Sequence, residues 1–202
     1  EQETNIRNEV ENWISSGFRI EGFPDIMESS HEEIVNWHKE LSSNISEVRS
    51  VLEWARAIEE VEVNDLKDKL IEKAKEPTNM EEIRNAKNDL EATLSDINDK
   101  RKEMEKWVNL WKDEGYNTEK IEESLKADLT TAWNNLTHFM DDIQKLKDHK
   151  DELEQIREND PNDHFGPEIR EIDFLLNDPM EIQNIEKLLG ELKETIEKEG
   201  EE

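Results

Sequence analysis

The sequence predicts an all-α protein of elongated tandem helical repeats, with long antiparallel helices packed as two- to three-helix bundles. Three observations carry that expectation. Apolar residues recur at three-and-four spacing over long stretches. Only six glycines and five prolines punctuate 202 residues. One landmark occurs twice, as Trp13 with Gly17-Phe18 and as Trp111 with Gly115-Tyr116.

The clearest helix is expected over 80–114. Ile83, Ala86, Leu90, Leu94, Ile97, Met104, Val108 and Trp111 gather on one face, and Arg101 is the one polar intruder. Thr78 and Asn79 stand before Glu81 and Glu82 at the spacing of a capping box, which marks the start. About 35 residues at 1.5 Å each give a helix roughly 50 Å long. Gly115 is expected to end it. With Gly115 as the left-handed C′ residue, Tyr116 is C″ and Trp111 is C3, the two positions whose side chains meet in a Schellman cap. Trp13, Gly17 and Phe18 repeat that spacing, so each set forms a hydrophobic clasp that closes a helix.

A second helix is expected from Thr118 to Arg157, along Ile121, Leu125, Leu129, Ala132, Leu136, Phe139, Ile143 and Leu146. The stretch 159–167, rich in Asn, Asp and Pro, breaks it. A short helix is expected over Glu168 to Leu176, and a last one begins at Asp178-Pro179-Met180-Glu181, with the tail 197–202 frayed. In the first half, Ser29/Ser30 with Glu32/Glu33 precede a seam of Ile34, Trp37, His38, Leu41, Ile45, Val48, Leu52 and Ala55.

One ungapped shift of 98 positions (111 − 13) carries Trp13 to Trp111, Gly17 to Gly115, and residues 34, 38, 41, 45 and 48 onto Ala132, Leu136, Phe139, Ile143 and Leu146. Beyond that the register slips by about four residues, as loop length changes between repeats, and Pro77 falls opposite Pro179. Duplication places a first unit at 1–114 and a second at 115–202. Residues 1–16 match the end of the 80–114 helix, and the second unit is truncated in its last helix. That register suggests a window cut from a longer array, with flanking repeats of a parent chain as neighbours.

Composition limits the function. The 54 Asp+Glu against 26 Lys+Arg leave a net charge of −28, which disfavours nucleic acid, because a phosphate backbone needs a basic footprint. An electrostatic partner is expected to be basic. Without cysteine there is no disulfide, zinc-thiolate site or thiol nucleophile. No apolar run approaches the roughly 20 residues that span a bilayer, so no membrane insertion is expected. Low hydrophobicity with high charge is also the composition of disordered chains, but six tryptophans and regular apolar spacing favour order.

The segment from Leu70 to Leu90, with Pro77-Thr78-Asn79 at its centre, resembles a spectrin-type helix end, loop and third helix, and the separation of Trp13 and Trp111 is similar to the spectrin repeat length. The Trp-x-x-x-Gly-aromatic pattern also resembles segments of archaeal coiled-coil proteins. The resemblance implies tethers, spacers and docking rods. Gly17 and Gly115 depart from it by stopping a helix that a spectrin unit continues, and no functional residue carries over.

Chemistry-bearing constellations are sparse. Glu28-x-x-His31 has the spacing of a di-iron ligand pair but no second copy, since Lys126 stands where Glu28 would recur. The stretch from Asp160 to Glu171 is faintly like a calcium loop, with Phe165 where the turn glycine belongs. Neither is read as a metal site, no cofactor is expected, and no enzyme is predicted. Trp13, Trp37, Trp111 and Trp133 are expected to pack within the helices. Trp54 and Trp107 sit off their seams and are candidate partner contacts. The expected function is a structural or interaction segment, a rigid helical spacer or docking rod with protein partners and room for self-association. An acidic module for a basic protein is the alternative.

Overall fold

The computed structural model describes residues 1–160 and 162–200. Those residues form helices and no strand. In order they are α1 (Gln2–Ser15), α2 (Phe23–Ile26), α3 (His31–Arg56), α4 (Asn64–Lys73), α5 (Met80–Asp113), α6 (Glu119–Ser124), α7 (Leu129–Glu158), α8 (Gly166–Leu175) and α9 (Ile182–Gly200). Single 3₁₀ turns at Val61–Val63 and Pro179–Glu181 precede α4 and α9.

The chain divides into two compact units, Glu1–Asn98 and Asp99–Glu202. This division lies inside α5, ahead of the boundary expected at residue 114. Packing sets it there: Ile83, Ala86, Leu90 and Ile97 are buried in the first unit, while Met104, Val108 and Trp111 belong to the core of the second.

In the first unit α3 buries Ile34, Leu41, Ile45, Val48, Val51 and Ala55. A fully buried aliphatic side chain contributes about 1.5–3 kcal/mol, so this stripe anchors the unit. The helix begins at a capping box. The Glu33 N–H donates to the Ser30 hydroxyl at 3.4 Å, and Glu33 Oε2 accepts from the Ser30 N–H at 3.0 Å. The hydrogen bonds from the Ser30 hydroxyl and backbone hold the Glu33 carboxyl below its ordinary range.

The long helices of a unit run parallel, which corrects the antiparallel packing expected from sequence. Glu3 meets His31 and Glu9 meets His38, both at 2.9 Å, so α1 and α3 advance together. Asn44 donates to the Pro77 carbonyl at 3.1 Å and Arg84 pairs with Glu47 at 2.8 Å, so α3 and α5 do as well. In the second unit Arg101 reaches the Leu125 carbonyl at 2.9 Å and Lys147 pairs with Glu114 at 3.0 Å, aligning α5 with α7. His149 lies 3.7 Å from Glu186 and Glu152 pairs with Lys193, which aligns α7 with α9. The physical reason is the connections. The segments 16–30 and 57–79 of the first unit, carrying the short helices α2 and α4, return the chain before the next long helix starts.

The helix expected from Thr118 to Arg157 is two helices, α6 and α7. Its spacing of apolar residues continues through Leu125 and Leu129, but Asp128 is an N-cap whose Oδ1 accepts from the Thr131 N–H at 2.9 Å. Arg101 closes the other side of the break by donating to the carbonyls of Leu125 (2.9 Å) and Ala127 (3.2 Å). The polar intruder on the α5 seam thus satisfies carbonyls left over at the end of α6. The hydrogen bonds from Thr131 hold the Asp128 carboxyl below its ordinary range. A depressed folded-state value means its contribution is fully present above the unfolded value and is lost as pH falls through the folded one. The melting-temperature gap between the wild type and Asp128→Ala is therefore expected to be constant near neutrality and to narrow below pH 3.8, the unperturbed value, in a series of circular dichroism melts.

Other boundaries shift less. The short helix starts at Gly166 rather than Glu168, with Pro167 in its first turn; of the tail expected to fray over 197–202, residues 197–200 are helical in α9 and 201–202 lie outside the described residues. Asp178 caps the Pro179 turn by accepting from the Met180 N–H at 3.0 Å. The short α2, entered through left-handed Gly22 with Pro24 in its first turn, is not anticipated from the sequence.

Candidate functional site: paired helix clasps and the tryptophan surface

Each clasp has the two hydrogen bonds of a Schellman cap. In the first unit the Phe18 N–H donates to the Trp13 carbonyl (3.2 Å) and the Gly17 N–H to the Ile14 carbonyl (3.0 Å). In the second, Tyr116 donates to Trp111 and Gly115 to Lys112, both at 3.0 Å. Gly17 and Gly115 hold φ of 106° and 93°, a region that side chains with a Cβ rarely adopt. Nothing lies within 4 Å of a Cβ built at Gly115, so the requirement for glycine is one of backbone conformation alone. Gly115→Val is expected to cost about 2 kcal/mol from the strained backbone, and Gly115→Asn less, because Asn tolerates left-handed conformations. Urea titrations of both variants measure this, and equal losses would contradict the backbone explanation.

Around the glycines the aromatic side chains pack differently in the two units. Trp13 is buried and stacks on His38, with centroids 5.5 Å apart and planes at 12°. Trp111 is buried against Phe139 at 5.2 Å, and Trp107 stacks on it at 6.0 Å. Phe18 is buried, while Tyr116 is half-buried. Burial pushes the Tyr116 phenol above its ordinary range, with the Lys147 ammonium opposing.

A further link follows each clasp. The residue after the aromatic, Arg19, donates its N–H to the Lys75 carbonyl at 2.6 Å, and Asn117 donates to the Asn177 carbonyl at 2.7 Å. Lys75 follows α4 and Asn177 follows α8. The end of one long helix is thereby tied by backbone to the loop that launches the next-but-one: α1 to α5, and α5 to α9. Sequence reasoning did not find these links. Their signal is faint, since a backbone bond constrains no side chain.

Trp54 is half-buried with Lys87 over its ring, 5.6 Å from the centroid. Trp107 is 39% exposed. Trp133, expected inside the helix packing, is 45% exposed. It stands one residue past Ala132 on the seam, and one step along a helix turns a side chain by about 100°. Trp37 is half-buried beside Phe23, at 6.3 Å. An open groove of about 710 Å³ between α6, α7 and the Pro179 turn is lined by residues that include Ile121, His138, Phe139 and Met180.

The two sequence segments with metal-like spacing have other roles. His31 pairs with Glu3, and Asp160 accepts from the N–H groups of His164 (2.9 Å) and Phe165 (2.8 Å), which orders the loop; Pro161 lies outside the described residues. Those hydrogen bonds, from Phe165 first, hold the Asp160 carboxyl below its ordinary range. Among the described residues, no three His, Asp or Glu side chains converge to hold a metal ion. No helix there is long and apolar enough to cross a membrane. No family model, curated protein or solved structure matches the chain.

Proposed function

We propose that the chain is a non-enzymatic spacer and docking segment built from a duplicated helical unit. The observation that supports this best is the link after each clasp. α1 stops at its clasp and α5 takes over beside it; α5 stops at its own clasp and α9 takes over in the same way. Within each unit the link ties the end of one long helix to the start of another, and repetition of such a unit is what a spacer requires. The order long helix, short helix, long helix, short helix, long helix occurs in both units, with the 34-residue α5 shared between them. Protein partners would dock on the solvated faces of these helical units.

Small-angle scattering tests the reading. A compact chain of this length has a radius of gyration of about 17 Å, and the spacer is expected to exceed that markedly. A globular value would sink the proposal.

A further inference from the structure

The two units differ on one flank. In the first, the groove between α1 and α3 is lined by residues that include Ile6, Glu9, Val35 and Ser42. The 98-residue shift places Met104, Trp107, Trp133 and Met140 at those positions. A groove of mixed lining in one unit is thus replaced by large apolar side chains in the other, with Trp107 in place of Glu9 and Met140 in place of Ser42, and three of them stay exposed: Trp107 39%, Trp133 45% and Met140 39%. Leu110, one turn beyond Trp107 on α5, adds a fourth at 46%.

These side chains share one side of the α5–α7 pair. On α5, Trp107 and Glu114 are seven residues apart; on α7, Trp133, Met140 and Lys147 follow the same interval. Residues seven apart lie nearly above one another on a helix. The Glu114–Lys147 ion pair, at 3.0 Å, joins the two stripes at one end and fixes that they face the same way. Trp107 is also stacked on Trp111, so the exposed ridge is braced by the buried clasp rather than hanging free.

The charge around the ridge selects its occupant. Glu103 lies one turn before Trp107, with exposed Lys100 and Lys106 also on α5, and Asp141 and Asp148 are exposed on the outer side of α7. Lys147, beside the ridge, is neutralised by Glu114. A second copy of this chain would bring another net charge of −28 against the same carboxylates, which opposes association. We infer that the Trp107–Leu110–Trp133–Met140 ridge docks a basic amphipathic helix, whose apolar face covers the ridge and whose Lys or Arg residues meet the flanking carboxylates. Exposed Trp and Met side chains are the residue types that anchor such helix-on-surface contacts. The inference rests on the docking half of the proposed function and names its partner class.

The test uses the full chain and two Leu/Lys peptides of one composition, one patterned with Leu at i, i+3, i+4 and i+7, the other scrambled. Titration calorimetry at physiological salt is expected to give at least about tenfold tighter binding for the patterned peptide. Trp107→Glu/Trp133→Val/Met140→Ser, which installs the first unit's residues, is expected to abolish that preference while helicity and melting temperature hold. A second variant, Glu103→Lys/Asp141→Lys/Asp148→Lys, keeps the ridge and is expected to weaken patterned-peptide binding and flatten its salt dependence. Equal binding of the two peptides, or an unchanged preference in the ridge variant, overturns the inference. So does ultracentrifugation showing a dimer that the ridge variant dissolves, since the occupant is then a second copy. Scattering is read separately: a compact chain that still prefers the patterned peptide refutes the spacer and leaves the docking ridge standing.

Discussion

Trp111→Ala is expected to lower the unfolding free energy of the second unit by about 3–5 kcal/mol, the usual cost of emptying a large buried aromatic site. Trp111 is 4% exposed and joins the Met104, Val108, Leu136 and Phe139 core, so little water is available to fill the space left behind. Domains have only about 5–15 kcal/mol in total, and the loss is therefore a large fraction of one unit's stability. Hydrogen exchange read by mass spectrometry should locate it. Amides of α6 to α9 and of the end of α5 are expected to exchange much faster, while those of α1 and α3 change little. Uniform acceleration along the whole chain would mean that the two units melt as one.

Asn98→Pro is expected to cost about 3 kcal/mol or more at the centre of α5, since proline removes one helical hydrogen bond and collides with the preceding turn. Asn98 is exposed and stands at the division between units, so the substitution removes no core side chain. If α5 carries the spacer function, spin labels placed on α3 and α7 should give a distance distribution that broadens in the variant. Retention of a narrow distribution would assign the link to something other than the helix.

The long helices were legible because their apolar period is long and their ends carry chemistry. Gly115 with its aromatic neighbour marks the end of α5, and Ser30 with Glu33 marks the start of α3. The break before α7 was hidden by Leu125, Leu129 and Ala132, which keep helical spacing across a turn. Asp128 was the available signal, since it falls opposite Ser30 under the 98-residue shift. Helix direction was not legible at all. Periodicity identifies which face is buried without saying against which neighbour, and the short returns through Phe23-Pro24 and residues 64–73 decide it. The exposure of Trp107 was legible from its place off the seam. Trp133 was misassigned because a single residue separates it from buried Ala132.

The backbone links at Arg19 and Asn117 also bear on how the chain folds. Each closes a loop of more than fifty residues, from Arg19 to Lys75 and from Asn117 to Asn177. Helices form from local contacts in about a microsecond, whereas long-range closure is the slow part of assembling a unit. These two amides sit in loops outside the helices and have no helical partner, so their only protection is the closed loop itself. In a refolding experiment quenched with deuterium, Arg19 and Asn117 would act as clocks, recording when each unit first joins its beginning to its end.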